Sequence, residues 1–256
     1  MRVVSLVPSL TEAVAVTAPG LLVGATDWCS HPAGLDVARI GGTKNPDTAA
    51  VAALRPDLVI ANEEENRVPD LDALRAAGLR VLVTEVRTLE TAFTELHRVL
   101  VEGCGLDRPA WLDEAEAAWA AVRPVGEAAG GAGAAAPAPV RAVVPIWRRP
   151  WMVLGRDTFA GDLLARLGVA NAYADHAERY PRVPLDELRA SGADLVVLPD
   201  EPYAFGPDDG PEAFPGLPAA LLDGRALTWY GPSLVTAPAV LGAALAAARP
   251  GAAPGP

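Results

Sequence analysis

The chain has 256 residues, of which 51% are apolar, and its formal net charge is −11 at pH 7. This length suffices for one large domain or for two lobes of about 100–130 residues, each with its own core. No apolar run reaches the eighteen residues of a membrane-spanning helix, and the acidic balance argues against unspecific binding to nucleic-acid phosphates.

The first strand is predicted close to the N-terminus, at Val3 to Val7. A secretory signal would need a basic segment, an apolar stretch and a cleavage site before it. The sequence as written therefore predicts a cytoplasmic location, or an extracytoplasmic one if the start site is misassigned. Ser9 and Glu12 have the spacing of a capping box, so Ser9 is the expected N-cap of the next helix.

A second strand, Leu21 to Ala25, leads into a segment that is rich in metal-binding residue types. If the chain stays extended there, Asp27, Cys29 and His31 share one face. A carboxylate, a thiolate and an imidazole could then bind a metal, with zinc the usual choice. The alternative is that Cys29 is a small buried side chain and His31 a hydrogen-bonded loop residue. Cys29 and Cys104 are expected to be reduced thiols.

One continuous helix of roughly 25 Å is predicted from Asp107 to Pro124, with Asp107 as N-cap. Strands alternate with helices before and after it, so we expect it to join two α/β halves with a ligand cleft between them. The predicted organisation is an N-terminal α/β lobe at 1–106, a connecting helix at 107–127, a flexible Ala/Gly/Pro loop at 128–139 and a C-terminal α/β lobe at 140–256.

The two halves repeat one pattern, in which a helix is followed by an apolar strand and then an acidic loop. The strands of this pair are predicted at 58–61 and 194–198. Three adjacent glutamates, Glu63 to Glu65, form the first acidic loop and are expected on a solvated rim.

Four of the six tryptophans are predicted in loops directly after strands, and Trp111 and Trp119 belong to the connecting helix, where they are expected to pack. In open α/β sheets, ligands bind at the carboxyl ends of the strands. Aromatic faces there suit a large, flat or hydrophobic ligand, although such rings can also merely seal the end of a lobe against water. The aromatic residues predicted at strand ends are Trp28, Trp147, Trp151, Tyr203, Trp229 and Tyr230.

Three segments, at 3–12, 54–61 and 155–158, resemble those of the helical-backbone (class III) substrate-binding proteins. These are the cobalamin, haem and ferric-siderophore receptors of ABC importers. The resemblance implies an α/β fold of two Rossmann-like lobes, one long backbone helix that joins them, a ligand cleft between the lobes and little closure on binding.

Within this class the chain is most similar to the cobalamin binders. Trp28 and His31 match positions of aromatic residues before a proline, Trp229 and Tyr230 match an aromatic pair, and the segment 180–183 resembles a cleft edge. Lys44 stands where a tryptophan is expected. In the family an acidic residue on each lobe docks the transporter's arginines, and the resemblance offers Glu64 and Glu201 as counterparts.

The leading hypothesis is non-catalytic binding of a metal chelate or corrinoid-like ligand of the cobalamin, haem or siderophore class, with no cofactor required. Arg149, together with Lys44 and Arg148, would meet the ligand's carboxylates or phosphate. An ABC importer permease is an expected partner if the chain is exported. The expected ligand-binding residues are Trp28, His31, Lys44, Trp147, Arg148, Trp151, Tyr180, Trp229 and Tyr230.

Two other hypotheses stay open from the sequence. The first is a cytosolic metal-dependent or cysteine enzyme that uses Asp27, Cys29 and His31, although no complete catalytic signature is present. The second is a scaffold that keeps the fold without a ligand.

Overall fold

The computed structural model describes residues 1–123 and 139–248. They form two compact units. The first consists of Met1–Val86, Glu90–Glu116 and Trp229–Pro232, and the second of Arg87–Leu89 with the described parts of Ala117–Thr228 and Ser233–Pro256. The loop predicted at 128–139 and the helix stop predicted at Pro124 lie outside the described residues, except for Pro139, which is exposed.

The first unit is built on a five-stranded parallel sheet with the order β3-β2-β1-β6-β7, beside a small antiparallel hairpin, β4-β5. Its strands are β1 Val3–Ser5, β2 Leu22–Ala25, β3 Ala38–Arg39, β4 Gly41–Gly42, β5 Asn45–Pro46, β6 Leu58–Asn62 and β7 Val81–Thr84. Helices α1 Pro8–Thr17, α2 Thr48–Ala53, α3 Val68–Ala76 and α4 Leu89–His97 alternate with the strands, and the π-helical segment Arg98–Gly103 continues α4.

The centre of this sheet is apolar on both faces, as expected for parallel strands that are covered by helices. Strand β6 is buried at all five positions, and β1 is buried at all three. Val4 and Leu6 pack in one core cluster with Val59 and Ala61. Continuous burial explains why the sequence shows an uninterrupted apolar run at 58–61 instead of alternation.

The start of α1 differs from the capping-box prediction. Val7 is the N-cap, Pro8 occupies the first turn, and no side chain caps the helix. Ser9 is therefore inside the helix, because the fixed φ of Pro8 suits the first helical position and its missing N–H loses no bond there. At α2, in contrast, a side chain caps the helix, since Asp47 accepts a hydrogen bond from the Ala50 N–H at 2.9 Å.

The second unit contains a four-stranded parallel sheet with the order β11-β8-β12-β13 and an antiparallel hairpin, β9-β10. Its strands are β8 Val140–Val143, β9 Pro145–Arg148, β10 Trp151–Val153, β11 Val169–Asn171, β12 Leu195–Pro199 and β13 Ala219–Leu222. Helix α5 Ala110–Ala120 runs from the first unit into the second, and the other helices are α6 Phe159–Arg166, α7 Leu185–Arg189, α8 Gly224–Thr228 and α9 Ala237–Ala247.

The repeat seen in the sequence corresponds to β6 and β12. Both are five-residue strands that are buried throughout and lie inside their sheets. Helix α6 is capped by Thr158, which accepts a hydrogen bond from the Gly161 N–H at 3.3 Å.

The connecting helix is shorter than predicted. It covers eleven residues, about 16 Å, and not the whole stretch from Asp107. Pro109 restricts the residue before it to extended conformations, so the helix cannot extend back to Asp107. The packing of its tryptophans is confirmed: the Trp111 indole N–H donates to Thr17 Oγ1 and the Trp119 indole N–H to the Leu234 carbonyl, both at 3.0 Å. Throughout 1–123 and 139–248, no helix is long and apolar enough to cross a membrane.

Two further predictions of secondary structure were wrong. Trp147 and Trp151 lie on the paired strands β9 and β10, not in a loop. Trp229 follows helix α8 and not a last strand, because the strand is formed earlier, where β13 pairs with β12. Asp223 then starts α8 by accepting from the Ala226 N–H at 2.8 Å.

Candidate functional site

Each sheet has one point where the strand order reverses. In the first unit this point lies between β1 and β6, and in the second between β8 and β12. Loops that follow such strands form the usual ligand crevice of an open α/β sheet. Glu64 follows β6, the hairpin β9-β10 follows β8, and Glu201 follows β12. The sequence therefore places candidate residues at both reversal points.

Trp28 is the most exposed tryptophan whose side chain the structure describes, with 69% of its surface accessible. It sits in the turn after β2, and a Cβ added at Gly42 would lie 3.5 Å from its indole nitrogen. One edge of the indole therefore lies against the hairpin β4-β5 at van der Waals distance. A large apolar ring held at the surface is informative, because burial is the usual state of tryptophan.

The proposed metal trio is not assembled. The Cys29 N–H donates to the Thr26 carbonyl at 3.1 Å, so the chain turns where the prediction needed it extended. Asp27 is exposed, whereas Cys29 is fully buried, and the two side chains do not share a face. Over the described ranges, no three His, Cys, Asp or Glu side chains are grouped so as to hold a metal ion. The metal-site prediction is wrong for this reason.

Cys29 is also poorly placed to act as a nucleophile. Its sulfur lies 3.0 Å from Thr11 Oγ1 and 3.1 Å from Thr26 Oγ1, within the first unit. Burial raises the pKa of the thiol, although these hydrogen bonds and the charge of Arg39 oppose the shift. Because the thiolate is the reactive form, the buried-residue alternative for Cys29 is the one that fits. Both cysteines are free, as expected.

His31 and Trp229 are in contact in the first unit, where Trp229 and Tyr230 are both buried. The His31 and Trp229 rings meet edge to face, with centroids 5.3 Å apart. Trp229 and Tyr230 are each only 8% exposed. Burial raises the pKa of the Tyr230 hydroxyl, as do the neighbouring carboxylates of Glu65 and Glu64, while hydrogen bonds with Ser9 and Thr84 side chains lower it. These contacts make Tyr230 a core residue.

The acidic loop after β6 is less solvated than predicted. Glu63 is exposed, but Glu64 and Glu65 are half-buried. Burial raises the pKa of Glu65, against the opposing charge of Lys44. Lys44 is exposed, and its ammonium donates to the Glu64 backbone carbonyl. The Lys44 ammonium thus already donates one hydrogen bond within the protein.

The second unit contains an open pocket of about 620 Å³, which is within the range of small-molecule sites. Three arginines line it together with one tryptophan. The lining residues are Arg148, Arg149, Pro150, Trp151, Arg182, Val183 and Pro184.

An aromatic cluster borders this pocket. The Trp151 ring stacks on Phe205 at an interplanar angle of 9° and meets the edge of Phe214, with centroids 6.1 and 5.6 Å away. Tyr203 contacts both Phe205 and Trp147, at 4.6 and 5.6 Å between centroids. Trp147 remains 41% exposed. Phe205 and Phe214 are buried, whereas Trp147, Trp151 and Tyr203 stay partly accessible.

The chain segment at 179–183 completes the pocket by pairing with β10. The Val153 N–H donates to the Pro181 carbonyl, and the Val183 N–H to the Trp151 carbonyl. A Cβ at Gly155 would lie 2.1 Å from the Glu178 carbonyl oxygen, so this approach requires glycine. Tyr180, a predicted ligand residue, is half-buried in this segment.

Sequence reasoning missed the role of Arg182 in the pocket, although it singled out the segment that carries it. The sequence shows Arg182 directly after Pro181 but does not show what lies beside it. Only the pairing of this segment with β10 brings the arginine beside Trp151. The two expected docking carboxylates, Glu64 and Glu201, are each half-buried in their own units.

Comparison with known proteins identifies the family. A model of the periplasmic binding protein family matches residues 3–209. The chain belongs to this family. The resemblance to substrate-binding proteins is thus confirmed, and the family's members are binding proteins that serve ABC importers.

Several periplasmic binding proteins are similar to the chain over most of its length. The vitamin B12-binding protein of Salmonella typhimurium is 23% identical over 200 residues, which is 77% of this chain and 71% of that protein. The apo form of the periplasmic haem-binding protein RhuT from Roseiflexus sp. RS-1 superposes with a TM-score of 0.76 at 22% identity, covering 96% of this chain and 98% of that one. The vitamin B12-binding protein BtuF of Vibrio cholerae superposes with a TM-score of 0.69 at 18% identity, covering 96% and 97%.

Proposed function

We propose that this chain binds a metal chelate of the corrinoid, haem or siderophore class and does not catalyse a reaction. The relatives bind vitamin B12 or haem, as their names state, and they cover most of the chain. The observation that carries the proposal is the exposure of two tryptophan rings, Trp28 in the turn after β2 and Trp147 on strand β9. Exposed indoles offer flat apolar faces to a ligand with a ring system.

The chemistry of the described residues favours binding over catalysis. The thiol of Cys29 is buried and its pKa is raised, which disfavours the reactive thiolate. No observation favours a particular reaction at either strand-order reversal. The pocket in the second unit offers apolar surface and positive charge, which suits reversible, non-covalent binding of a ligand.

A titration followed by tryptophan fluorescence tests the proposal. Cyanocobalamin, haem and a ferric siderophore are added separately to the whole protein, and the expected result is saturable quenching by at least one of them. A coloured ligand also absorbs light trivially, so free N-acetyltryptophanamide is titrated in parallel as the control. If none of the three ligands quenches more than it quenches the control, the proposal is wrong.

The role with an ABC importer is a second part of the proposal, with Glu64 and Glu201 as the docking carboxylates. It requires the protein to lie outside the membrane that holds the importer, in contrast to the cytoplasmic location expected from the sequence as written. Cell fractionation of the natural host decides between the two locations. Glu64→Gln and Glu201→Gln should weaken binding to the importer while the affinity for the ligand stays unchanged.

A further inference from the structure

The three arginines of the second unit's pocket have different electrostatic surroundings. Arg148 forms ion pairs with both Asp209 and Glu212, through one guanidinium nitrogen each. Hydrogen bonds from the Gly210 N–H and from Arg148 lower the pKa of Glu212, so this carboxylate stays charged at neutral pH. Two carboxylates therefore neutralise Arg148, and little of its charge is left for a ligand.

Arg149 and Arg182 differ from Arg148 in this respect. Both side chains are exposed, and within 1–123 and 139–248 neither of them forms an ion pair. They line the same pocket as Trp151. Two uncompensated guanidinium groups at one concave, partly apolar surface are suited to carboxylates, because the planar fork of arginine matches the two oxygens.

Arg148 instead contacts the aromatic cluster. The Arg148 guanidinium carbon lies 5.5 Å from the centroid of the Trp151 ring, a cation–π distance. Its partner Asp209 accepts a hydrogen bond from the Tyr203 hydroxyl at 2.7 Å. Arg148 thus links Trp151 to the loop that carries Tyr203, Asp209 and Glu212.

We propose a division of roles, which rests on the proposed function: Arg149 and Arg182 bind carboxylates of the ligand, whereas Arg148 is a positioning residue that holds Trp151. The ligand class that follows is a metal chelate with free carboxylates. Haem, which carries two, fits this class. Cyanocobalamin, whose acid side chains are amides, does not.

The experiment compares haem with its dimethyl ester, in which both carboxylates are capped, and with cyanocobalamin, all in the same dilute detergent. The wild-type protein is expected to bind haem at least tenfold more tightly than the ester, and this preference should decrease as salt is added. Arg149→Gln and Arg182→Gln should each reduce the affinity for haem about tenfold without changing the affinity for the ester. Arg156→Gln, which removes the same charge from an exposed position outside the pocket, should change neither affinity.

Arg148→Gln separates positioning from charge recognition. It should weaken binding of haem and ester by the same factor and change the near-ultraviolet circular dichroism of Trp151, which neither Arg149→Gln nor Arg182→Gln should do. Selective loss of haem affinity in Arg148→Gln would show that Arg148 binds the carboxylates, and the division of roles would be wrong.

The remaining outcomes distinguish the inference from the proposed function. Equal affinities of the wild type for haem and ester would overturn the carboxylate inference. So would tight cyanocobalamin binding that Arg149→Gln and Arg182→Gln leave unchanged. Either result would leave the chelate-binding function intact. If haem, ester, cyanocobalamin and a ferric siderophore all fail to bind, the proposed function is wrong, and the inference falls with it.

Discussion

The two units use their aromatic residues in different ways. In the first unit Trp229 and Tyr230 are buried, whereas Trp28, in the turn after β2, is 69% exposed. In the second unit Trp147 and Trp151 remain partly accessible beside an open pocket with three arginines. Aromatic residues can therefore belong to the core or stay accessible to a ligand, and the packing of segments remote in sequence decides which.

The largest effect should come from Trp229, and it tests the buried side of this comparison. Trp229→Ala removes a ring that contacts His31 and is 8% exposed. The expected loss of unfolding free energy is about 3–5 kcal/mol, because a cavity remains in the core. Urea unfolding measures it. A loss below about 1 kcal/mol would mean that Trp229 is not a core residue.

Gly155→Ala tests how the second unit builds its pocket. The new Cβ would lie 2.1 Å from the Glu178 carbonyl oxygen, so the segment at 179–183 must move away from β10. We expect a destabilisation of about 1–3 kcal/mol and weaker ligand binding, because Arg182 moves with the segment.

The matched control for this change is Gly242→Ala in α9, where an added Cβ meets nothing within 4 Å. Alanine should leave stability unchanged or raise it slightly there, since it favours helix more than glycine does. Equal stabilities of the two variants in thermal unfolding would contradict the close approach at Gly155.

The pH dependence of stability tests the burial of ionisable groups. Burial raises the pKa of Cys104 to about 11, from an ordinary value of 9.0, and also raises the pKa values of Cys29 and Tyr230. These groups stay protonated in the folded state while the unfolded chain loses their protons, so stability should be complete below about pH 9 and fall as the pH rises towards 11. Cys104 alone should contribute about 1–2 kcal/mol.

Urea midpoints between pH 7 and 10.5 measure this loss. Cys104→Ala should have a flatter profile than the wild type, whatever its stability at pH 7. A wild-type midpoint that does not change up to pH 10.5 would mean that these thiols and the Tyr230 hydroxyl are accessible to water.

The smallest effect on stability, and the sharpest on binding, should come from Trp28. Because its ring is 69% exposed, Trp28→Ala should change the unfolding free energy by less than about 0.5 kcal/mol. Its affinity for the quenching ligand should drop about tenfold, as expected for the loss of one stacking ring. Trp111→Phe, in helix α5, is the control that should leave affinity unchanged. Unchanged affinity in Trp28→Ala would leave this exposed ring without a binding role.

The local features of the fold could be predicted from the sequence where interactions between residues close together along the chain decide them. The apolar runs at 58–61 and 195–198 predict the buried central strands β6 and β12. Errors arose where proline geometry or strand pairing overrides a local pattern. Pro8 and Pro109 set where α1 and α5 begin, and pairing with β12 turns Ala219–Leu222 into a strand.

The sequence by itself determined the alternation of strands and helices, the family and the approximate positions of the aromatic residues, because these depend on neighbours along the chain. Only the tertiary structure decided which of those residues are accessible. Trp229 is buried and meets His31 edge to face, and backbone pairing with Met152 brings Arg182 beside Trp151. Burial and charge compensation are sums over contacts between segments that are distant in sequence, and no local pattern of residues encodes such sums.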